Sequence, residues 1–514
     1  MQKVDPNQKN KKRNTSPLLF GGVAIVFLVV GMVIASVVPI PFLSKTEVAQ
    51  TSDELKKFQT IYDLLSEEWY YSKDDENIQT TLIENALTGM TTIPQDPHTS
   101  YLELERASAF SDALAGSNVG IGVSFFTDTQ NRFVVKDVYM NSAADRAGIQ
   151  PGDEIVKVAK QEVAGKTTDE IVKIIQSNAN QSMAMQVKRN DELVDMMVTP
   201  GTFDQTVSAR MLEDNGLITM SSFSQDTAKD FTEAVGRLRE QGAKNLILDL
   251  RNNTGGYLSS VIQIASSLLP SNSVVFQECL KDGTVKTIKT EDNYAQVEFD
   301  HIYILQNKNT ASASEILIGA LKDQIPDKVT TVGQTTYGKG TEQTTIPFED
   351  GTSIKFTKAE WKTPNGLSIN KVGFIPDAEV ALSEVATVSY VPVSEESPLN
   401  ITPDSVHSNA KAAQIYLRYL GYPAQRSDEY FSVASSEALK SFQSDQGLEP
   451  TGVIDNTTFQ SMLDLLAKKL NEESMNHDSV LFQTLEMIHS GEIPAPAVQP
   501  GAQEAVTSQQ ETTE

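Results

Sequence analysis

Residues Ile302-Tyr303-Ile304-Leu305-Gln306-Asn307-Lys308-Asn309-Thr310-Ala311-Ser312-Ala313-Ser314-Glu315 carry the chain from a short apolar run, across a polar turn, into an apolar helical stretch. Ile302 to Leu305 reads as a buried strand and the residues after Ser312 as a helix. A serine at such a junction sits where unpaired helix N–H groups and the positive end of the dipole stabilise developing negative charge. The small residues around Ser312 leave room for a carbonyl group. A serine hydroxyl is a poor nucleophile until a neighbour takes its proton, and a desolvated lysine amine can do so. Lys339, in Tyr337-Gly338-Lys339-Gly340-Thr341-Glu342-Gln343, is the candidate base. Bringing it to neutrality requires the amine to titrate well below its ordinary value, which is within reach of burial. Working outward, Leu246-Ile247-Leu248-Asp249-Leu250 forms a second strand running into Gly255-Gly256 and another helix, so residues 201–390 read as an α/β core. The turn offers Gly255 or Gly256, with the Ala313 N–H, as an oxyanion hole. The same glycines also serve a tight turn with no chemistry at all.

These residues and their neighbours resemble the carboxyl-terminal processing (tail-specific) serine peptidases over about residues 51 to 390. Asp96-Pro97-His98-Thr99-Ser100-Tyr101 is similar to the family's Asp-Pro-His-Ser-Ser-Tyr element. Asp249-Leu250-Arg251-Asn252-Asn253-Thr254-Gly255-Gly256 is similar to its Asp-Leu-Arg-Asn-Asn-Pro-Gly-Gly element, with Thr254 for the usual proline. The resemblance implies that Ser312 is the nucleophile, Lys339 the base and Gln343 the residue holding the amine. Glu315, Asp323 and Thr336 match its supporting positions. Thr310 replaces the motif's first serine, and the segment 324–329 is slightly long.

Apolar residues at helical spacing from Glu54 to about Ala115 predict an N-terminal helical part of the protease, 51–116, packed on its core. Residues 117–200 change to short strands around one helix and resemble a PDZ domain, on Gly120-Ile121-Gly122, Ser142-Ala143-Ala144 and Pro151-Gly152-Asp153. Backbone N–H groups of Gly120, Ile121 and Gly122 would converge on a terminal carboxylate. A peptide would then add along Val123 to Phe126, with Ile171, Val172 and Ile175 walling its side-chain pocket. These aliphatics equally suit a plain core. Residues 391–405 read as a linker and 406–470 resemble the small three-helix peptidoglycan-binding domain, on Leu420-Gly421-Tyr422, Phe442-Gln443 and Thr451-Gly452. These are core and turn positions, so self-association or packing on the protease stays open. Residues 471–514 read as a largely disordered tail.

Leu18 to Val38 are 21 residues without a charge, ~31 Å as a helix, which predicts a transmembrane span over 17–39. The basic residues of 1–16 place the N-terminus in the cytoplasm and the remainder outside. A cleaved signal peptide is the alternative, with a shorter apolar run of about 7 to 15 residues. Net charge of −26 over 514 residues, without a basic patch, argues against nucleic acid. A single cysteine, Cys279, excludes an intrachain disulfide, and five scattered histidines suggest no metal cage.

The fold class expected is therefore an α/β protease core with an inserted PDZ domain, an N-terminal transmembrane helix and a small all-α C-terminal domain. The function expected is a membrane-anchored extracytoplasmic endopeptidase that recognises free C-termini and cuts through an acyl-enzyme. It requires no cofactor and no metal, and has peptidoglycan as a second partner. A non-catalytic wall scaffold and a serine hydrolase on non-peptide substrates are the alternatives, and the oligomeric state stays open.

Overall fold

A computed structural model describes residues 52–115, 117–380, 383–393, 398–476 and 478–499. The apolar run Leu18–Val38 lies outside them, and no helix among the described residues is long and apolar enough to cross a membrane. The chain divides into two compact units at Gly89. The first holds helix α1 (Asp53–Glu67), capped by the Ser52 hydroxyl, and most of α2 (Ile78–Thr91). No residue of α1 is buried.

The second unit opens with strand β1 (Ser100–Leu102) and helix α3 (Leu104–Ala115). Strand β2 (Ser117–Gly120) leads into β3 (Val123–Thr127), β4 (Phe133–Val138), helix α4 (Ala143–Ala147), β5 (Glu154–Val158) and β6 (Gln161–Glu162). Helix α5 (Thr168–Ser177), β7 (Met183–Arg189), β8 (Glu192–Val198) and β9 (Gly201–Asp204) complete the module. Its antiparallel sheet runs β3-β4-β5-β7-β8, so β3 is an edge strand. β2 pairs antiparallel with β9, closing the module where it joins the core.

The core follows as β10 (Val207–Leu212), β11 (Asn215–Met220), α6 (Thr227–Glu240), β12 (Asn245–Asp249), α7 (Leu258–Leu268), β13 (Val274–Leu280) and β14 (Val285–Lys289). Then come β15 (Ile302–Gln306), α8 (Ala313–Gln324), β16 (Val329–Gly333), β17 (Thr341–Pro347), β18 (Ser353–Lys362) and β19 (Ala378–Glu379). One sheet has the order β10-β11-β12-β15-β16-β19 and is parallel except for β10. A parallel sheet joined by helices must be covered on both faces. The alternation of its residues shows how. Ile218, Leu246, Leu248, Ile302 and Ile304 enter the large core with α6, α7 and α8, whereas Leu217, Ile247, Tyr303 and Leu305 form a second cluster on the other face. The second sheet, β1-β18-β13-β14 with β17 also on β18, is antiparallel throughout.

Helix α9 (Glu384–Thr387) precedes the C-terminal helices α10 (Ser408–Leu420), α11 (Val433–Asp445), α12 (Asn456–Asn476) and α13 (Ser479–Ser490). Three boundaries differ from expectation. Val385 and Val388 already pack in the C-terminal core. The supposed linker is bound to that module: Asn400–Ile401 pairs with Ile454–Asp455, and the Asn409 amide exchanges two hydrogen bonds with Val391. The module is thus mainly helical rather than all-α, with short strand pairs. The expected disordered tail is helical in two stretches: α12 continues to Asn476, and α13 lays Val480, Leu481, Leu485 and Ile488 on the second face of the parallel sheet. Helical spacing of those four residues outweighs the polar composition beyond them. Residues 500–514 lie outside the described residues.

Candidate active site

The five residues of β15 are buried, and the turn after it is locked to the end of β12. Thr310 Oγ1 donates to the Leu250 carbonyl at 2.8 Å, and the Ala311 N–H to the Asn253 carbonyl at 3.0 Å. Ser312 is held at φ 57°, ψ −118°, at the head of α8. A non-glycine residue there costs of order 1–3 kcal/mol unless its surroundings impose it. The surroundings are Ala311, Ala313 and Ser314, all buried, while Ser312 itself is half-buried and lines a cavity of about 1370 Å³. Ser314, the other serine of the motif, is fully buried and donates to the Asn253 carbonyl at 3.0 Å.

Glu315 fixes the geometry from beneath. It is 0 % exposed and accepts four hydrogen bonds: from the Ser312 N–H (2.8 Å), Thr336 Oγ1 (2.6 Å), the Gly338 N–H (2.7 Å) and the Lys339 N–H (2.9 Å). One carboxylate therefore joins the serine turn to the lysine loop. Burial pushes its carboxyl above the usual range, and the four donors oppose that. Thr336 also accepts from the Phe374 N–H at 2.7 Å.

Lys339 is half-buried and lines the same cavity as Ser312. Its ammonium has no ion pair or hydrogen bond among the described residues, and none joins it to Ser312. Burial depresses the amine below its ordinary value, the nearby Lys355 charge adds to this, and Glu315 opposes it. Gly338, at φ 84°, brings its backbone so near Val372 and Gly373 that a Cβ would lie 2.7 Å from either nitrogen. Gln343 lines the cavity, with its amide nitrogen donating to Thr341 Oγ1 (3.0 Å) and Thr357 Oγ1 (3.1 Å), and among the described residues no hydrogen bond joins it to Lys339.

The glycine turn lies against Ser312: a Cβ on Gly255 would be 2.8 Å from Ser312 Cβ and 2.9 Å from the Ala313 nitrogen. The Gly255 N–H is already donated to Asn253 Oδ1 at 2.9 Å. Among the described residues, the N–H groups of Gly256 and Ala313 have no acceptor. Gly256 is placed by a parallel bridge to Phe223.

Asp323 is not brought to this site. It stands eleven residues along from Ser312, ~16 Å at helical rise, and accepts from the Asn365 N–H at 2.8 Å, holding a turn beyond the helix. Four contributors were not among the predicted site residues: Asn253, His98, Lys355 and Asp96. Asn253 is fully buried and ties the glycine turn to Met220, Ala311 and Ser314. His98 and Lys355 line the cavity; burial and the Lys339 charge depress the His98 imidazole. Asp96 accepts from Thr357 Oγ1 at 3.0 Å and from the His98 N–H, which anchors the Asp96–Tyr101 element beside Gln343. Membership of the two quoted motifs was the available signal for Asn253 and His98. No cluster able to hold a metal occurs among the described residues.

In the strand-rich module, the N–H groups of Ile121 and Gly122 have no partner among the described residues, while their carbonyls accept from Ala144 and Tyr139. Gly120 is paired with Gly201. Ile171 and Ile175 are 0 % and 4 % exposed, members of the module's core; Val172 is half-buried.

Family models match this arrangement. Peptidase family S41 matches residues 214–380, the PDZ domain 134–189 and the peptidoglycan binding domain 406–462. A “Probable CtpA-like serine protease” of Staphylococcus aureus strain N315 is 30% identical over 447 residues, covering 87% of this chain and 86% of its own. A protein of the same description from Staphylococcus haemolyticus is 28% identical, covering 93% and 96%. The solved photosystem II D1 C-terminal processing protease is 24% identical over 64% of this chain and 93% of its own, with a TM-score of 0.36. The chain belongs to the S41 family of C-terminal processing serine peptidases and carries a PDZ domain and a peptidoglycan-binding domain.

Proposed function

We propose that Ser312 attacks the substrate carbonyl while Lys339 takes its proton, forming an acyl-enzyme that water then releases. The observation carrying this reading is that a strained serine at a helix head and a half-buried lysine, unpaired among the described residues, share one cavity. Lys339 accepts the hydroxyl proton, donates it to the leaving amine and then activates water. The unengaged N–H groups of Gly256 and Ala313 receive the oxyanion, since Gly255 spends its own on Asn253. Glu315 and Thr336 hold the two loops in register. Gln343 orients the lysine through its carbonyl oxygen as substrate binds. The PDZ domain selects free C-termini through the Ile121 and Gly122 donors and the β3 edge. The charge-free run Leu18–Val38 anchors the enzyme with its catalytic domain outside the membrane, and the C-terminal module holds it to peptidoglycan. Cleavage of an unfolded protein, compared with hydrolysis of simple acyl esters by the same preparation, tests the substrate class. The reading requires proteolysis that Ser312→Ala abolishes; ester turnover without proteolysis overturns it.

A further inference from the structure

We infer that the segment 478–499, which follows the peptidoglycan-binding module, is a positioning clasp for the two loops that carry the catalytic groups. This rests on the Ser312–Lys339 reading above. Helix α13 is the cover of the second face of the parallel sheet, and a cover alone needs only its apolar side. The segment's polar grips are additional: besides an exposed contact of His489 Nε2 with Glu213 Oε2 at 2.8 Å, they fall at two particular places.

The first is the end of β12. Arg251 lies in the turn that leads to Gly255 and Gly256. Its guanidinium is held between two carboxylates: Asp249, by Nε at 2.9 Å and Nη2 at 2.6 Å, and Asp478, by Nη1 at 2.8 Å and Nη2 at 2.6 Å. Asp478 also caps α13, accepting from the Val480 and Leu481 N–H groups at 3.1 Å. All three side chains are largely buried, at 21%, 11% and 13% exposure. A planar guanidinium fixed on two edges leaves Arg251 one orientation. Two residues further on, Asn253 sets the Gly255 N–H and the Ala311 and Ser314 contacts.

The second place is the irregular stretch entering β19. The Gln499 side-chain amide pairs with both backbone groups of Ile375, each at 2.9 Å, and the Ala497 N–H donates to Asp377 at 2.8 Å. The neighbouring residue, Phe374, exchanges hydrogen bonds with Thr336, which donates to Glu315. The first grip is thus a few bonds from the oxyanion turn and the second a few bonds from the lysine loop. The wall-binding module lies in sequence between the protease core and this clasp, so its chain is fastened to the core on both sides. Asp478 and Gln499 are positioning residues; neither touches the cavity.

The test uses the full chain with Asp478→Asn and Gln499→Ala, measured well below the melting temperature, with folding checked by near-ultraviolet circular dichroism. Leu485→Ala, which thins the apolar cover without touching either grip, is the control for simple destabilisation. Asp478→Asn lowers kcat, and the rate at which a serine-directed phosphonate modifies Ser312, about tenfold with KM within twofold, a fraction of what an ångström of misplacement costs. Gln499→Ala shifts the pH at which that modification rate is half-maximal, because it loosens the lysine side. Leu485→Ala lowers the melting temperature and leaves both rates unchanged. If both grip variants fold and keep parental kcat, labelling rate and pH profile, the clasp has no positioning role; if one does not fold, the other decides. A parent chain that neither labels at Ser312 nor cleaves peptide overturns the peptidase reading itself, and the clasp with it.

Discussion

Gly255→Ala is a substitution whose effect follows from the geometry. The added methyl would lie 2.8 Å from Ser312 Cβ, 2.9 Å from the Ala313 nitrogen and 3.0 Å from the Ala311 carbonyl. An ordinary contact is ~3.5 Å or more, so each neighbour must give by about half an ångström or more. The methyl also sits against the Ala313 N–H proposed to receive the oxyanion. Loss of one such donor costs about 10²–10³ in kcat, or ~3–4 kcal/mol. Residue 255 has φ 101°, so alanine also adds ~1–3 kcal/mol of backbone strain. Gly148→Ala separates the two effects, since its φ is 79° but no atom lies within 4 Å of the added methyl. The assay is steady-state cleavage of a fluorogenic peptide alongside thermal unfolding. Both variants should melt lower, and only Gly255→Ala should lose at least a hundredfold in kcat. A folded Gly255→Ala with kcat within threefold of the parent refutes the oxyanion assignment.

Ser314→Ala should retain turnover and lose about 1 kcal/mol of stability, because its hydroxyl is spent on the Asn253 carbonyl; a loss of activity equal to that of Ser312→Ala would move the nucleophile. Lys339→Arg should be as inactive as Lys339→Ala, since a guanidinium does not deprotonate. In the parent, kcat/KM should rise with pH to a midpoint below 10.5, as burial and Lys355 depress the amine. The same depression destabilises the folded state below the folded pKa, so this group alone adds stability as pH rises from there to 10.5; a lysine-dependent stability profile of opposite slope contradicts its burial as the cause. Amidating the C-terminus of an unfolded substrate should weaken its cleavage, and equal cleavage of free and amidated forms removes the PDZ domain from substrate selection.

Much of this molecule was legible because local patterns and final packing agree. Ile302–Leu305 and Leu246–Leu250 are apolar on both sides of the strand, which marks a sheet covered on two faces. What covers the second face was not legible: Val480, Leu481, Leu485 and Ile488 lie far along the chain from the strands they meet. Ser312, Lys339, Glu315 and Thr336 share two short motifs, and the structure brings all four together. Asp323 shares the helix with Ser312 but is carried ~16 Å along it, a separation that a motif match does not encode. Lys355 and His98 reach the cavity through strand pairing between β1 and β18, whose register no local spacing reveals. Ile171 and Ile175 fit a pocket wall and a core equally well by helical spacing, and packing assigns them to the core.

The central claim is that Ser312 is the nucleophile and Lys339 its base. Mass-spectrometric mapping of a serine-directed phosphonate on the full chain, with its labelling rate followed against pH in the parent and in Lys339→Arg, tests both halves at once. The account predicts a single adduct on Ser312, formed faster as pH rises and lost in Lys339→Arg. An adduct on Ser314, or an unchanged rate in Lys339→Arg, would contradict it.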